Sequence, residues 1–142
     1  MPSLPASDQR TSRRLSDPLF GRLYSDLVAA GVHVGPYPLG MYGAIEAGDG
    51  GGTRAYAAFM VGDNVSAGAG YGVTVLPAVE LAATTVHDGS MATIGESWDA
   101  LHEWINTNGY ELSGVCRELY IVSEPQPQEN WVTELQQPVI RP

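Results

Sequence analysis

An α+β fold built from two related halves is what the sequence predicts, and three observations predict it. Apolar residues recur at helical spacing in Ile94, Trp98, Leu101 and Ile105, while Val115 to Val122 alternates at the period of a strand. Moving the chain along itself by the 78-residue offset between Gly31 and Gly109 lays Leu23 on Leu101, Leu27 on Ile105, Phe20 on Trp98 and Tyr42 on Tyr120 without a gap. Each half then reads helix, strand, strand, with a further strand before the helix in the second half. Two such units can share one antiparallel sheet, and a cleft on the axis relating them is the natural ligand site.

Taken in order, residues 1–16 are rich in Ser, Pro and Arg, show no period and read as a flexible leader. Asp17-Pro18 is expected to open the first helix, with Asp as N-cap and Pro at the first helical position. Its stripe is Leu19, Phe20, Leu23 and Leu27, and Gly31 closes it. Leu39 to Ile45 and Arg54 to Val61 read as an antiparallel pair around the glycine-rich loop 47–52. Val73 to Leu76 and Val79 to Val86 read as strand segments separated by Pro77. Thr93 and Glu96 form a capping-box pattern for the second helix, which Gly109 ends. Strands from Val115 to Val122 and from Trp131 to Val139 follow, joined by a loop carrying Pro125 and Pro127. The chain thus divides into the leader and one domain over 17–142, with halves at about 17–62 and 73–140.

Composition narrows the function classes. With a formal net charge of −9 and no lysine, the chain lacks the clustered cations that a nucleic-acid surface needs. The single cysteine excludes an internal disulfide and suits a reducing compartment, so the chain reads as cytoplasmic. No run approaches the ~18 apolar residues that span a bilayer. His33, His87 and His102 show no metal-ligand spacing, and loop 47–53 lacks the Lys-Ser or Lys-Thr of a phosphate loop, so no cofactor or metal is expected.

The chemically informative stretch is Gly114 to Val122. On a strand, Cys116, Glu118 and Tyr120 point to one face, which places a carboxylate in a segment that should be buried. A buried carboxylate is costly unless paired, and the partner is either a ligand or a structural group such as an arginine, Arg54 for example, or backbone N–H groups. Cys116, with no histidine placed to activate it, reads as a small apolar core thiol. Trp98 sits on the helix stripe and reads as core, whereas Trp104 lies off it and reads as a surface or partner contact.

Several motifs, in order, resemble the gyrase-inhibitor-like (GyrI-like) family, which includes the effector-binding domains of multidrug-sensing MerR-type and AraC-type regulators. They are Val86-His87-Asp88-Gly89-Ser90 leading into Ile94-Gly95-Glu96-Ser97-Trp98, then Asn108-Gly109-Tyr110, Arg117-Glu118-Leu119-Tyr120 and Trp131-Val132-Thr133-Glu134-Leu135-Gln136. The likeness is closer over 73–140 than over 17–62. It implies two pseudo-symmetric strand-helix-strand-strand modules sharing an antiparallel sheet, with the ligand cleft between the two helices. It also implies a hydrophobic, cationic aromatic ligand, with Glu118 as the central carboxylate, Trp131 as a stacking aromatic, Tyr120 in the same motif and Tyr42 its counterpart through the internal repeat.

The chain departs from that pattern in lacking an evident strand before the first helix and in carrying Asp88-Gly89-Ser90 where Gly-Pro-Tyr is usual. No helix-turn-helix precedes the domain, so a DNA-binding partner or separate domain is the expected output. The favoured function is a ligand sensor or sequestering protein. The alternative is a GyrI-like hydrolase that opens strained rings of reactive natural products, with Glu118 as acid/base. A third class, a module that binds another protein through its cleft or sheet edge, rests only on the missing strand.

Overall fold

The computed structural model describes residues 3–5, 9–44, 53–68 and 70–142, with side chains over 19–43, 55–68 and 70–142. The chain forms two compact units, Met1–Pro77 and Ala78–Pro142. Both are α+β and antiparallel.

In the first unit β1 (Ser3–Pro5) leads into α1 (Gln9–Ala29), followed by β2 (Val34–Ala44) and β3 (Thr53–Val61). β3 lies between β1 and β2 and pairs antiparallel with each. In the second unit β4 (Ala82–Asp88) leads into α2 (Ile94–Thr107), followed by β5 (Glu111–Leu112), β6 (Cys116–Val122) and β7 (Val132–Ile140). β7 lies between β4 and β6, and β5 pairs with its far end. Apart from β5 the two units have the same topology.

The internal repeat extends to register. Gly40 faces Ala57 and Tyr42 faces Ala55 in the first unit, and at the 78-residue offset Glu118 faces Leu135 and Tyr120 faces Thr133 in the second. Both helices end in a left-handed glycine, Gly31 with φ 75° and Gly109 with φ 80°. The stripes match as well: Leu23 and Leu27 pack with Tyr71, Val32, Val34 and Phe59, while Leu101 and Ile105 pack with Ala83, Leu135 and Val139.

Several expectations are corrected. A strand does precede the first helix: β1 is too short to show a period, and its Pro5 is tolerated because, among the described residues, β1 is an edge strand paired with β3. α1 begins at Gln9, so the stretch read as a leader holds β1 and the first turns of the helix, and Asp17-Pro18 lies within it. Gln, Arg and Leu are strong helix formers, and they extend the helix by propensity where no apolar period marks it. Val73 to Leu76 is not a strand, nor is Val79 to Leu81, despite the β-branched residues, because strand structure requires a ladder partner and the pairing with β7 begins at Ala82.

The capping box does not form either. Thr93 makes no side-chain cap bond, its hydroxyl donating instead to the Ser90 carbonyl at 3.1 Å. A 3-10 turn, Met91–Thr93, precedes α2, and the capping oxygen is Ser90 Oγ, which accepts from the Ala92 N–H at 3.1 Å. The expected loop 47–52 lies outside the described residues.

Candidate functional site

The helix-facing side of the second unit is unusually polar for a sheet face. Pairing places Thr85, Leu135 and Glu118 in one row across it and His87, Thr133 and Tyr120 in the next. Leu135 packs with Leu101 and Ile105 of α2, which fixes this as the side the helix covers. Among the described residues the buried polar side chains are His87, Glu118, Thr133 and Gln137, and all four fall on this face.

Glu118 is 3% exposed. Its Oε2 accepts the indole N–H of Trp98 at 2.7 Å, and its Oε1 accepts the Tyr120 hydroxyl at 2.8 Å. The second bond follows from the strand itself, since residues two apart share a face. The first comes from α2, whose Trp98 packs its ring on the Leu101–Ile105–Leu135 core and turns its N–H to the carboxylate. Both of these donors are neutral groups.

Cys116 registers that charge. Its thiol is pushed up to about 11, first by burial and then by the Glu118 carboxylate. A thiol so raised is a poor nucleophile, in keeping with a packing role.

The other polar groups are tied structurally. His87 Nε2 donates to the Ser90 carbonyl at 2.9 Å, which leaves Nδ1 to accept the Ser97 hydroxyl at 2.7 Å. Thr133 Oγ1 donates to Met91 Sδ at 3.8 Å. Among the described residues no group of His, Cys, Asp and Glu is arranged to hold a metal ion.

The four residues expected at the site fall as follows. Glu118 and Tyr120 are brought together. Trp131 is buried just before β7, and its indole N–H donates to the Gln126 carbonyl at 2.7 Å, so its polar atom is committed to the loop. Tyr42 is half-buried on β2 of the first unit, opposite Ala55. The Arg54 side chain lies outside the described residues.

Trp98 is the residue that sequence reasoning missed. The signal for it was its one polar atom on an otherwise apolar stripe, which needs an acceptor when buried. Trp104, 51% exposed, stacks on Tyr110 with ring centroids 5.9 Å apart, and Arg141 lies over the Tyr110 ring.

A helix laid over an antiparallel sheet face, with a buried carboxylate beside aromatic side chains, defines the second unit as α+β. The chain belongs to the GyrI-like small molecule binding domain family, whose profile matches residues 11–140. Among solved structures it is similar to the C-terminal domain of EcmrR, with 23% identity and a TM-score of 0.76, covering 99% of this chain and 89% of that one. It is also similar to EcmrR in a DNA complex seen by cryo-electron microscopy, with 22% identity and a TM-score of 0.75 over 99% of this chain. There the chain spans about half, 52%, of the other protein's length. A third similar structure is SAV2435 bound to tetraphenylphosphonium, with 20% identity and a TM-score of 0.60, covering 98% of this chain and 84% of that one. At these identities the likeness is one of fold. No curated protein matches the sequence. No helix among the described residues is long and apolar enough to cross a membrane.

Proposed function

We propose that the protein reversibly binds hydrophobic, cationic aromatic small molecules, as a sensor or sequestering domain. Glu118 supplies the countercharge, and Tyr120 and Trp131 supply aromatic contacts. The observation that carries this reading is the position of the Glu118 carboxylate, 3% exposed on the helix-facing side of the sheet with the aromatic side chains of Trp98 and Tyr120 bonded to it. A cation brought to such a carboxylate gains more than it would in water, and an aromatic face adds roughly 0.5–2 kcal/mol by cation–π contact. Tetraphenylphosphonium, bound in the similar SAV2435 structure, has this chemistry. The net charge of −9 also favours cations over anions at encounter.

The output of such a sensor lies in a DNA-binding partner or domain, since this chain carries a net charge of −9 and EcmrR, of whose length it spans about half, is seen on DNA. The chain itself acts in the cytoplasm without contacting nucleic acid.

The test uses two ions of one shape. Tetraphenylphosphonium should bind near-stoichiometrically by titration calorimetry, and tetraphenylborate at least about tenfold more weakly, because only the sign of the charge differs. Glu118→Gln should remove that preference. Equal binding of the two ions by the unmodified protein would overturn the role given to Glu118.

A further inference from the structure

The first unit contains a cavity of about 450 Å³ that the Glu118 site does not explain. The described residues that line it all belong to the first unit. Its size falls within the range of small-molecule pockets, roughly 300–1,000 Å³. Leu23 and Leu27 of α1, Leu39 and Met41 of β2 and Tyr71 make its buried walls.

Tyr71 is a built part of that wall. It is bridged to Gly68, and a Cβ at Gly68 would stand 2.7 Å from the Tyr71 ring, so only glycine lets the ring tuck in. The far rim is the segment Tyr71 to Leu76. It holds Val73 at 42% and Val75 at 92% exposure, and Met60 of β3, at 55%, also lines the cavity. Apolar side chains in water around a dry-walled cavity gain by closing on an apolar guest. Among the described lining residues the one carboxylate, Asp63, is exposed, so none of them is a buried charge that would select a cation.

We propose that this cavity is a second binding site, for a neutral, apolar small molecule, and that it operates independently of Glu118. The proposal goes beyond the cation-binding reading and does not rest on it.

The probe is N-phenyl-1-naphthylamine, an uncharged dye whose emission rises in apolar surroundings, titrated into the full chain. Emission should rise and saturate, with Glu118→Gln giving the same affinity within about twofold. Val75→Asp, at an exposed rim position, should weaken the dye at least about tenfold while leaving tetraphenylphosphonium binding unchanged. Ala58→Phe, which fills the cavity from β3, should abolish the rise, with circular dichroism reporting that the fold is kept. Were Ala58→Phe to unfold the chain, Val75→Asp alone decides. No saturable rise, dye binding lost with Glu118→Gln, or dye binding indifferent to Val75→Asp would each overturn the second site. Loss of tetraphenylphosphonium binding with dye binding intact would instead count against the cation site only.

Discussion

The Trp98 indole N–H and Glu118 Oε2 are 2.7 Å apart, joining the covering helix of the second unit to a carboxylate on the sheet beneath it. Replacing the indole by a phenyl ring keeps most of the packing and removes the donor. Trp98→Phe should therefore destabilise the protein by about 1.5–3 kcal/mol, the usual contribution of a hydrogen bond to a charged group. Glu118→Gln should cost less, because the amide oxygen still accepts one bond and the Tyr120 hydroxyl can reverse to accept the other. Urea unfolding of the two single variants and the double variant gives the coupling between the residues. A coupling near zero would mean that the helix and carboxylate are energetically independent.

Why Glu118 and Tyr120 were legible and Trp98 was not follows from what periodicity encodes. Period two states that residues 118 and 120 share a strand face, and the structure bonds them. Period 3.6 places Trp98 on an apolar stripe but says nothing of where its single N–H turns. The sheet register was legible in part, since the gap-free offset that aligns Tyr42 with Tyr120 also aligns their cross-strand partners. The strand β1 and the first turns of α1 were hidden for another reason. They are defined by an edge ladder and by helix propensity, neither of which leaves an apolar pattern. Val73 to Leu76, in the cavity wall, has no regular structure although its β-branched residues carry a strand's pattern.

Cys116 offers a pH-dependent test of the same site. Burial and the Glu118 carboxylate push its folded thiol up to about 11 from an ordinary value of 9.0, so the unfolded chain loses its proton first as pH rises. The stabilisation is complete below pH 9.0 and fades up to about pH 11, and the difference is on the order of 2 kcal/mol. Denaturant midpoints should fall across that window in the unmodified protein, and fall less in Cys116→Ala. Glu118→Gln should also lower the thiol titration, since the carboxylate is one of its two upward causes. As this is the only cysteine, the pH dependence of its reaction with a disulfide reagent reads the effect directly. A thiol that titrates identically with and without the carboxylate would contradict their proximity.

The paired helix ends make a structural prediction. Gly31 and Gly109 have φ of 75° and 80°, and the space for a Cβ at each is open, so alanine would meet strain from the backbone alone. Gly31→Ala and Gly109→Ala should each cost about 1–2 kcal/mol, and nearly the same amount, in thermal or urea unfolding. Very different costs would show that the two caps, alike in geometry, are unlike in their surroundings.

Binding and hydrolysis part on a single experiment. A panel of planar aromatic compounds, some carrying a cyclopropane or epoxide ring, is incubated with the protein and followed by mass spectrometry. Tight binding of a ground state accelerates nothing by itself, so a sensor returns every compound unchanged. A hydrolase adds the mass of water to the strained members over many turnovers, and its acid/base must exchange a proton with them. In the structure both Glu118 oxygens already accept hydrogen bonds, from Trp98 and from Tyr120, an arrangement suited to holding a charge in place rather than to passing a proton. Unchanged masses are the expected outcome. Turnover abolished by Glu118→Gln would assign Glu118 a catalytic role in place of the proposed binding one. Turnover that survives it would place the chemistry away from Glu118 altogether.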